Sequence, residues 1–217
     1  LKDVIKHIDI KSYNSTELVD AMRNMSFTSR DTARAADILM MMCKEKECTN
    51  ILTLAGSTSA AGCMQVYVDM VRNKMIDVVV ATGASIIDMD LFEALGYKHY
   101  IGEKENVIPD TTLRDLYIDR IYDTYIDEEE LQACDHSTYE LANMLEARPY
   151  SSREFIYEIG KWLHNGKAVK KDSLIQTCYE CGVPIFVPAF SDSSAGFGIG
   201  KHQWERMQKG EKYLSID

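Results

Sequence analysis

The sequence is short of the features that mark unusual protein classes. Its 217 residues include four prolines and 12 glycines, too few for a collagen-like or low-complexity chain. No stretch approaches the roughly 18 uninterrupted apolar residues that a membrane-spanning helix needs. The first 13 residues mix Lys, Asp and His with apolar positions, which is not the pattern of a secretory signal. We therefore expect a cytoplasmic protein that does not associate with membranes.

Positive charge is also scarce. The chain has 24 Lys and Arg against 34 Asp and Glu, which gives a net charge of −10. Nucleic-acid binding is disfavoured, because phosphate contacts need clustered Lys and Arg, whereas an acidic chain suits a cationic substrate. The hydrophobic content of 46 % is enough to form the packed core of one large domain or a small pair.

The six cysteines show no disulfide framework, and without a secretory signal they are expected to be reduced thiols. Cys178 and Cys181 are the only tight pair. A zinc site would need a second such pair, for which Cys43 and Cys48 are a weak match. The five histidines are dispersed without ligand spacing, so no metal site is predicted and surface or capping roles are expected for them.

Hydrophobic patterning predicts an α/β fold. Residues 50–56 and 76–82 are short apolar runs followed by or ending at glycine, and helical periodicity fills residues 64–75 between them. Strand, helix and strand in so short a stretch make a βαβ unit with parallel strands. A later strand at 183–190 carries two prolines, which confine it to an edge. We predict a Rossmann-like open, mostly parallel sheet with helices on both faces.

Further local predictions complete this outline. Residues 28–44 are apolar on nearly all sides, which is typical of a buried helix. Capping-box patterns, Ser-x-x-Glu, at Ser137 and Ser151 predict two helix starts. The remaining predictions are a long loop at 97–115, a strand at 120–126, a helix at 173–181, a glycine-rich turn at 191–200 and a short helix at 201–209.

Three loops rich in small residues would lie together at the carboxyl ends of the parallel strands: 56–62, 82–90 and 191–200. Small residues let backbone N–H groups approach a phosphate, and the positive end of the next helix adds to the attraction. A tight strand-to-helix turn without a ligand needs the same composition, so both interpretations stay open. The usual dinucleotide fingerprint, phosphate loop and nucleophile elbow do not fit the first turn.

Acidic residues accompany these loops: Asp88, Asp90, Glu93 and Asp192. They would bind a ribose or an ammonium group, or they are simply solvated. Asp192 directly follows an apolar strand and precedes small residues, so we expect its side chain to be partly buried and positioned.

Five segments together resemble deoxyhypusine synthases, in the same order and at matching intervals along essentially the whole chain. They are LTLAGSTSAAG at 52–62, MIDVVVATGA at 75–84, FEALGYKHY at 92–100, DRIYD at 119–123 and VPIFVPAFSD at 183–192. The resemblance implies a Rossmann-like, homotetrameric enzyme that uses NAD to dehydrogenate spermidine. A 4-aminobutyl group then passes, through an imine on an enzyme lysine, to an acceptor amine. The acceptor is a lysine of translation initiation factor 5A or, in bacterial-type relatives, putrescine, which becomes homospermidine.

The resemblance also implies roles for particular residues. Asp88 and Asp90 are the candidates for substrate binding, because the loop that carries them is one residue longer than in the members that modify a protein. Those members have an acid where this chain has Phe197, which removes one ammonium partner. The positions that would contact NAD are Gly56, Ser57, Thr58, Ser59, Ala60, Thr82, Gly83, Ala84 and Asp192.

Family members continue well beyond the last residue of this chain, and that part carries the imine-forming lysine. We therefore expect one deoxyhypusine synthase-like domain over 1–217, incomplete at its C-terminus, with a helical segment at 1–49 packed on it. The 217 residues alone are expected to be inactive. Two alternatives remain: a non-catalytic subunit that assembles with a complete paralogue, and an unrelated NAD-dependent dehydrogenase.

Overall fold

The computed structural model describes residues 1–102, 107–170 and 172–216, and it is a mixed α/β structure. Its helices are α1 Thr16–Met22, α2 Phe27–Lys44, α3 Met64–Arg72, α4 Phe92–Ala94, α5 Asp110–Asp115, α6 Glu128–Met144, α7 Ser152–Trp162, α8 Leu174–Cys181 and α9 Ala195–Gln208. Its strands are β1 Ile51–Leu54, β2 Val78–Ala81, β3 Tyr100–Ile101, β4 Ile118–Ile121, β5 Thr124–Asp127, β6 Pro149–Tyr150, β7 Ile185–Phe186 and β8 Ser215–Ile216.

The central sheet has three parallel strands in the order β1–β2–β7. Leu54 pairs with Ala81 at the end of β1 and β2, and Val80 pairs with Phe186. Helix α3 connects β1 to β2, so the predicted parallel βαβ unit is confirmed. β7 is an edge strand of only two residues, because the flanking prolines lack the N–H group that a longer ladder needs.

Two smaller sheets complete the β-structure of the described residues. β3, β5 and β4 form an antiparallel sheet, and β6 pairs in parallel with β8. The strand predicted at 120–126 is instead a hairpin that turns at Tyr122, where φ is 54°. Its apolar positions belong to two strands of opposite direction, which a single alternating pattern does not distinguish.

One hydrophobic core lies between the central sheet and its helices. Val79 of β2 is completely buried, as are Val68 of α3 and Ile159 of α7. Helix α7 begins with the predicted capping box, in which Ser151 and Glu154 bond to each other's backbone N–H groups. This cap fixes the start of the helix, and its apolar residues then face the core.

Several local predictions are wrong. Helix α2 has the predicted position, but Ala33 is its one buried residue in the described structure, where α2 packs mainly against α1. Ser137 lies inside α6 rather than at its start, and its hydroxyl donates to Cys134 O. Helix α5 lies in the predicted loop at 97–115, part of which falls at 103–106, outside the described residues. Helix α9 begins at Ala195, within the stretch predicted as a turn.

None of the helices in the described residues combines the length and the apolar character that crossing a membrane requires.

Candidate functional site

The loops that follow β1 and β2 are joined directly at the carboxyl edge of the parallel sheet. The Thr82 N–H donates to Leu54 O at 3.1 Å, which continues the ladder by one residue. The Ser85 hydroxyl then donates to Gly56 O at 2.8 Å and lies 3.1 Å from Thr82 Oγ1. These bonds place the predicted first and second cofactor loops side by side.

The loop that follows β7, the third predicted cofactor loop, packs against the second loop, and together the three loops border a cleft. A Cβ atom added at Gly83 would lie 2.4 Å from Ser193 Cβ, so only glycine lets the second and third loops approach this closely. Asp88 connects the same loops, because its Oδ1 accepts hydrogen bonds from Ser194 N at 3.1 Å and Ser194 Oγ at 2.5 Å. The three predicted loops therefore meet.

The first turn combines exposed backbone with a buried threonine hydroxyl. Gly56 is exposed, Ser57 and Thr58 are half-buried, and Ala60 is buried against the core. Thr58 Oγ1 is buried and has no hydrogen-bond partner among the described residues. The side chain of Ser59 lies outside the described part of the structure. The turn continues through a π-helical segment, Ser59–Cys63, into the start of α3.

Asp192 is more exposed than the sequence predicts. The residue is exposed at the end of a short 3₁₀ turn, Phe190–Asp192, while the next residue, Ser193, is 5 % exposed and donates to Phe190 O. The strand ends at Phe186, so the intervening turn changes which side chain faces inward. Thr82 is exposed on the same edge, whereas Gly83 is buried and Ala84 is half-buried.

Asp90 is enclosed and fully bonded. Its side chain accepts hydrogen bonds from Ser173 Oγ, Leu174 N and Ile175 N, each at 2.8 Å, and the residue is 1 % exposed. Burial raises the pKa of the Asp90 carboxyl, against the lowering effect of these three bonds. Because all its partners belong to the start of α8, Asp90 acts as a helix cap, and this geometry speaks against a substrate role.

Asp88 lies near a second acid, Asp135 of α6, whose pKa responds to the charge of Asp88. Burial raises the pKa of Asp88, while the Ser194 hydrogen bonds oppose that rise. Burial also raises the pKa of Asp135 to about 6, helped by the negative charges of Asp88 and Glu128. Asp135 Oδ1 is buried without a partner among the described residues. Asp135 was missed in the sequence, where a single acid inside a helix gives no signal.

Glu93 was expected among the solvated acids, but it is 7 % exposed and heavily bonded. Its carboxylate contacts His7 Nε2 at 2.6 Å, His99 Nδ1 at 2.9 Å and Lys170 Nζ at 2.5 Å. Burial alone would raise the pKa of Glu93, but these partners outweigh it and hold the pKa far below its ordinary value. His99 is buried and lacks the surface role expected from the sequence, whereas His7 accepts a hydrogen bond from Met64 N at the start of α3, which is the expected capping role.

This arrangement fits a dinucleotide at the meeting of the three loops. The first turn offers exposed backbone and a buried hydroxyl that lacks a partner in the described part of the chain, and it leads into α3. The start of a helix and closely packed small residues are the surroundings in which proteins bind a pyrophosphate. The neighbouring acids, Asp88 and Asp135, offer negative charge for a cationic group.

Comparison with known proteins gives consistent relatives. The chain is 64 % identical over 217 residues to a deoxyhypusine synthase-like protein of Caulobacter vibrioides, covering all of this chain and 59 % of the relative. Identity to proteins of the same description is 57 % in Coxiella burnetii and 51 % in Chlorobaculum tepidum, each covering all of this chain and 60 % of the relative. The chain thus spans about 60 % of the length of these relatives.

Among solved structures, a deoxyhypusine synthase candidate from Entamoeba histolytica matches with a TM-score of 0.65 and 20 % identity, over 98 % of this chain and 70 % of the other. At that identity the match supports the fold alone. The sequence profile of deoxyhypusine synthase matches residues 17–217. This chain therefore belongs to the deoxyhypusine synthase family.

Proposed function

We propose that the protein containing this chain is an NAD-dependent transferase that moves the 4-aminobutyl group of spermidine to an acceptor amine. The observation that carries the proposal is the meeting of three small-residue loops, in a member of this family, beside the acids Asp88 and Asp135. We place the chain in the cytoplasm.

The cofactor would lie along the carboxyl edge of the parallel sheet, which we infer to be part of a Rossmann-like open fold. When bound, NAD supplies the hydride acceptor for dehydrogenation of the polyamine. The residues that would hold it share the three loops: Gly56, Ser57, Thr58, Ser59, Ala60, Thr82, Gly83, Ala84 and Asp192. Thr58 supports this assignment, because a ligand acceptor would satisfy its buried hydroxyl.

The polyamine would be held by its ammonium groups. Asp88 is half-buried beside the cofactor loops, whereas the carboxylate of Asp90 is already occupied. We therefore choose Asp88 as the substrate ligand and add Asp135, whose buried Oδ1 lacks a partner among the described residues. Phe197 stands in the next turn, where its N–H donates to Ser194 O. Asp135 would supply the negative charge that Phe197 does not.

The acceptor is either a lysine of translation initiation factor 5A or putrescine, and we propose a homotetramer as the working assembly. The exposed apolar residues of α2, Ile38, Met40 and Met41, are consistent with contact between subunits. The same surface favours a second candidate function, that of a non-catalytic subunit that assembles with a complete paralogue.

The experiment is to incubate the natural-length protein with NAD and spermidine, with and without putrescine, and to identify products by mass spectrometry. Homospermidine together with 1,3-diaminopropane supports the transfer to putrescine. Diaminopropane without a new polyamine favours a protein lysine as acceptor, which is then sought by adding initiation factor 5A. No spermidine turnover under any of these conditions contradicts the enzymatic proposal and leaves the partner subunit to be tested with a paralogue.

A further inference from the structure

Residues 3–11, here called the N-terminal strap, are fastened to the body of the molecule. The backbone N–H of Ile101 donates to Asp3 O at 2.7 Å, and that of Ile5 donates to His99 O at 2.9 Å. Between them Val4 forms an antiparallel bridge with Tyr100. The strap therefore adds an edge to the sheet that contains β3.

The strap next crosses the end of the first cofactor loop. Ile8 N donates to Gly62 O at 2.9 Å. Gly62 has a φ of +87°, and a Cβ atom there would lie 2.8 Å from Lys6 O. At the far end, Lys11 Nζ lies 2.8 Å from Asp69 Oδ1 of α3. Loop and strap are thus in direct backbone contact, and the glycine makes that contact possible.

His7 is the central residue of the strap. Its Nδ1 accepts a hydrogen bond from Met64 N at 3.1 Å, so the proton of the neutral ring is on Nε2, which donates to Glu93 Oε2 at 2.6 Å. Met64 is the first residue of α3, and its N–H group is one of those that a helix cannot satisfy internally. The imidazole side chain is 13 % exposed.

The two partners of His7 follow the two predicted cofactor loops. Met64 lies two residues beyond the first loop, 56–62, and Glu93 lies three residues beyond the second, 82–90. Lys170 and His99 hold Glu93 from its other sides. A single side chain from the strap therefore spans the helix starts that set the positions of both loops.

We propose that His7 is a positioning residue of the cofactor site: by accepting the hydrogen bond of Met64 N at the start of α3, it holds the first loop in the geometry that binds NAD. This inference rests on the proposed NAD-dependent function. His7 acts through the start of α3, where its Nδ1 accepts the hydrogen bond of Met64 N.

The test measures NAD binding by titration calorimetry on the natural-length protein and three variants. His7→Asn keeps a side-chain oxygen near the position of Nδ1, whereas His7→Gln keeps an N–H donor near Nε2 and His7→Ala keeps neither. We expect NAD affinity to fall about tenfold in His7→Ala and His7→Gln and less than about threefold in His7→Asn. Hydrogen exchange at the Met64 amide should rise in the same order.

His164→Ala is the matched control, because it removes another His–Glu contact, at 2.9 Å to Glu180, from an exposed site. Its NAD affinity should equal that of the wild type. Equal affinity in wild type and His7→Ala overturns the positioning role. So does equal weakening in His7→Asn and His7→Ala, since the loss then comes from packing. A wild-type protein that binds no NAD overturns the proposed function itself.

Discussion

Asp88 and Asp90 lie two residues apart on one π-helical segment, Ala84–Leu91, yet they serve different parts of the molecule. Asp90 faces inward, and its three partners are the hydroxyl and backbone donors at the start of α8. Asp88 faces the cleft, where Ser194 of the third loop is its hydrogen-bonding partner. Residues two apart on a helical segment do not share a face.

The contrast shows that the donors around a carboxylate decide its role. Three N–H and O–H donors already satisfy Asp90, so a ligand has nothing to gain by approaching it. Asp88 is bonded through Oδ1 and stands next to Asp135, so an arriving ammonium group would relieve the repulsion between two acids. The inward-facing acid thus contributes stability, and we propose that the outward-facing acid contributes affinity for the substrate.

The largest expected effect is that of Asp90→Ala on stability. Removing this carboxylate leaves Leu174 N, Ile175 N and Ser173 Oγ without their acceptor in the core. We expect the free energy of unfolding to fall by about 3 kcal/mol, measured by urea denaturation. In Asp88→Ala the free energy of unfolding should fall by less than about 1 kcal/mol, since the site of Asp88 is accessible to water. Equal losses in the two variants would refute the assigned division of roles.

Gly83→Ala tests the close contact between the second and third loops. The added methyl group would meet Ser193 Cβ at 2.4 Å and force the second and third loops apart. We expect a loss of about 2 kcal/mol in unfolding free energy, together with weaker NAD binding. Gly200→Ala in α9 is the control, because among the described residues no atom outside its own stretch of helix lies within 4 Å of the added Cβ. Its free energy of unfolding should rise by about 0.5–1 kcal/mol from helix propensity.

Asp88→Asn tests whether the charge of Asp88 contributes to substrate affinity. The variant keeps an oxygen for the Ser194 donors but loses the charge that would attract an ammonium group. We expect spermidine affinity of the NAD-loaded protein to fall about tenfold, measured by calorimetry, without a matching loss of stability. Asp115→Asn removes an exposed acid that pairs with Arg114, and it should bind spermidine like the wild type. If both variants bind alike, the polyamine is held elsewhere.

Local sequence signals were sufficient for the elements that frame the cleft. Strands β1 and β2 are apolar runs bounded by glycine, and the capping box at Ser151 marks the start of α7 because both of its bonds are local. Helix α9 was partly missed, since its glycines disfavour a helix. The structure explains Gly198: a Cβ there would lie 2.1 Å from Thr138 Oγ1 of α6, so close packing of two helices requires glycine.

The roles of the acids depend on partners that are distant in sequence. Asp90 meets Ser173 across 83 positions, and Glu93 meets His7 across 86. No periodicity connects such residues, so the sequence could place Asp88, Asp90 and Glu93 in a loop cluster without showing which are enclosed. The exposure of α2 has a similar cause, because an apolar pattern indicates that a helix is covered but not by what.

The smallest expected effect is a pH dependence of stability that arises from Asp135. The pKa of Asp135 is raised from 3.8 to about 6, so the folded state favours the neutral acid. The resulting stabilisation is full below pH 3.8 and is lost as the pH rises through about 6. We expect this stabilisation to be about 1 kcal/mol, less than the full pKa shift would give, because the side chain is only half-buried.

Spermidine binding should have the opposite trend, since the ionised carboxylates attract ammonium groups. Affinity is expected to rise between pH 5.5 and 7.5, by about tenfold or less. Asp135→Asn should remove most of this slope as well as the slope in stability, because Asn does not titrate. Thermal unfolding and calorimetry across the pH range measure the two trends together. A stability slope that persists in Asp135→Asn would assign the titration to another acid with a raised pKa: Asp88, or Asp119, whose pKa is raised to about 6 mainly by its hydrogen bond to Glu128.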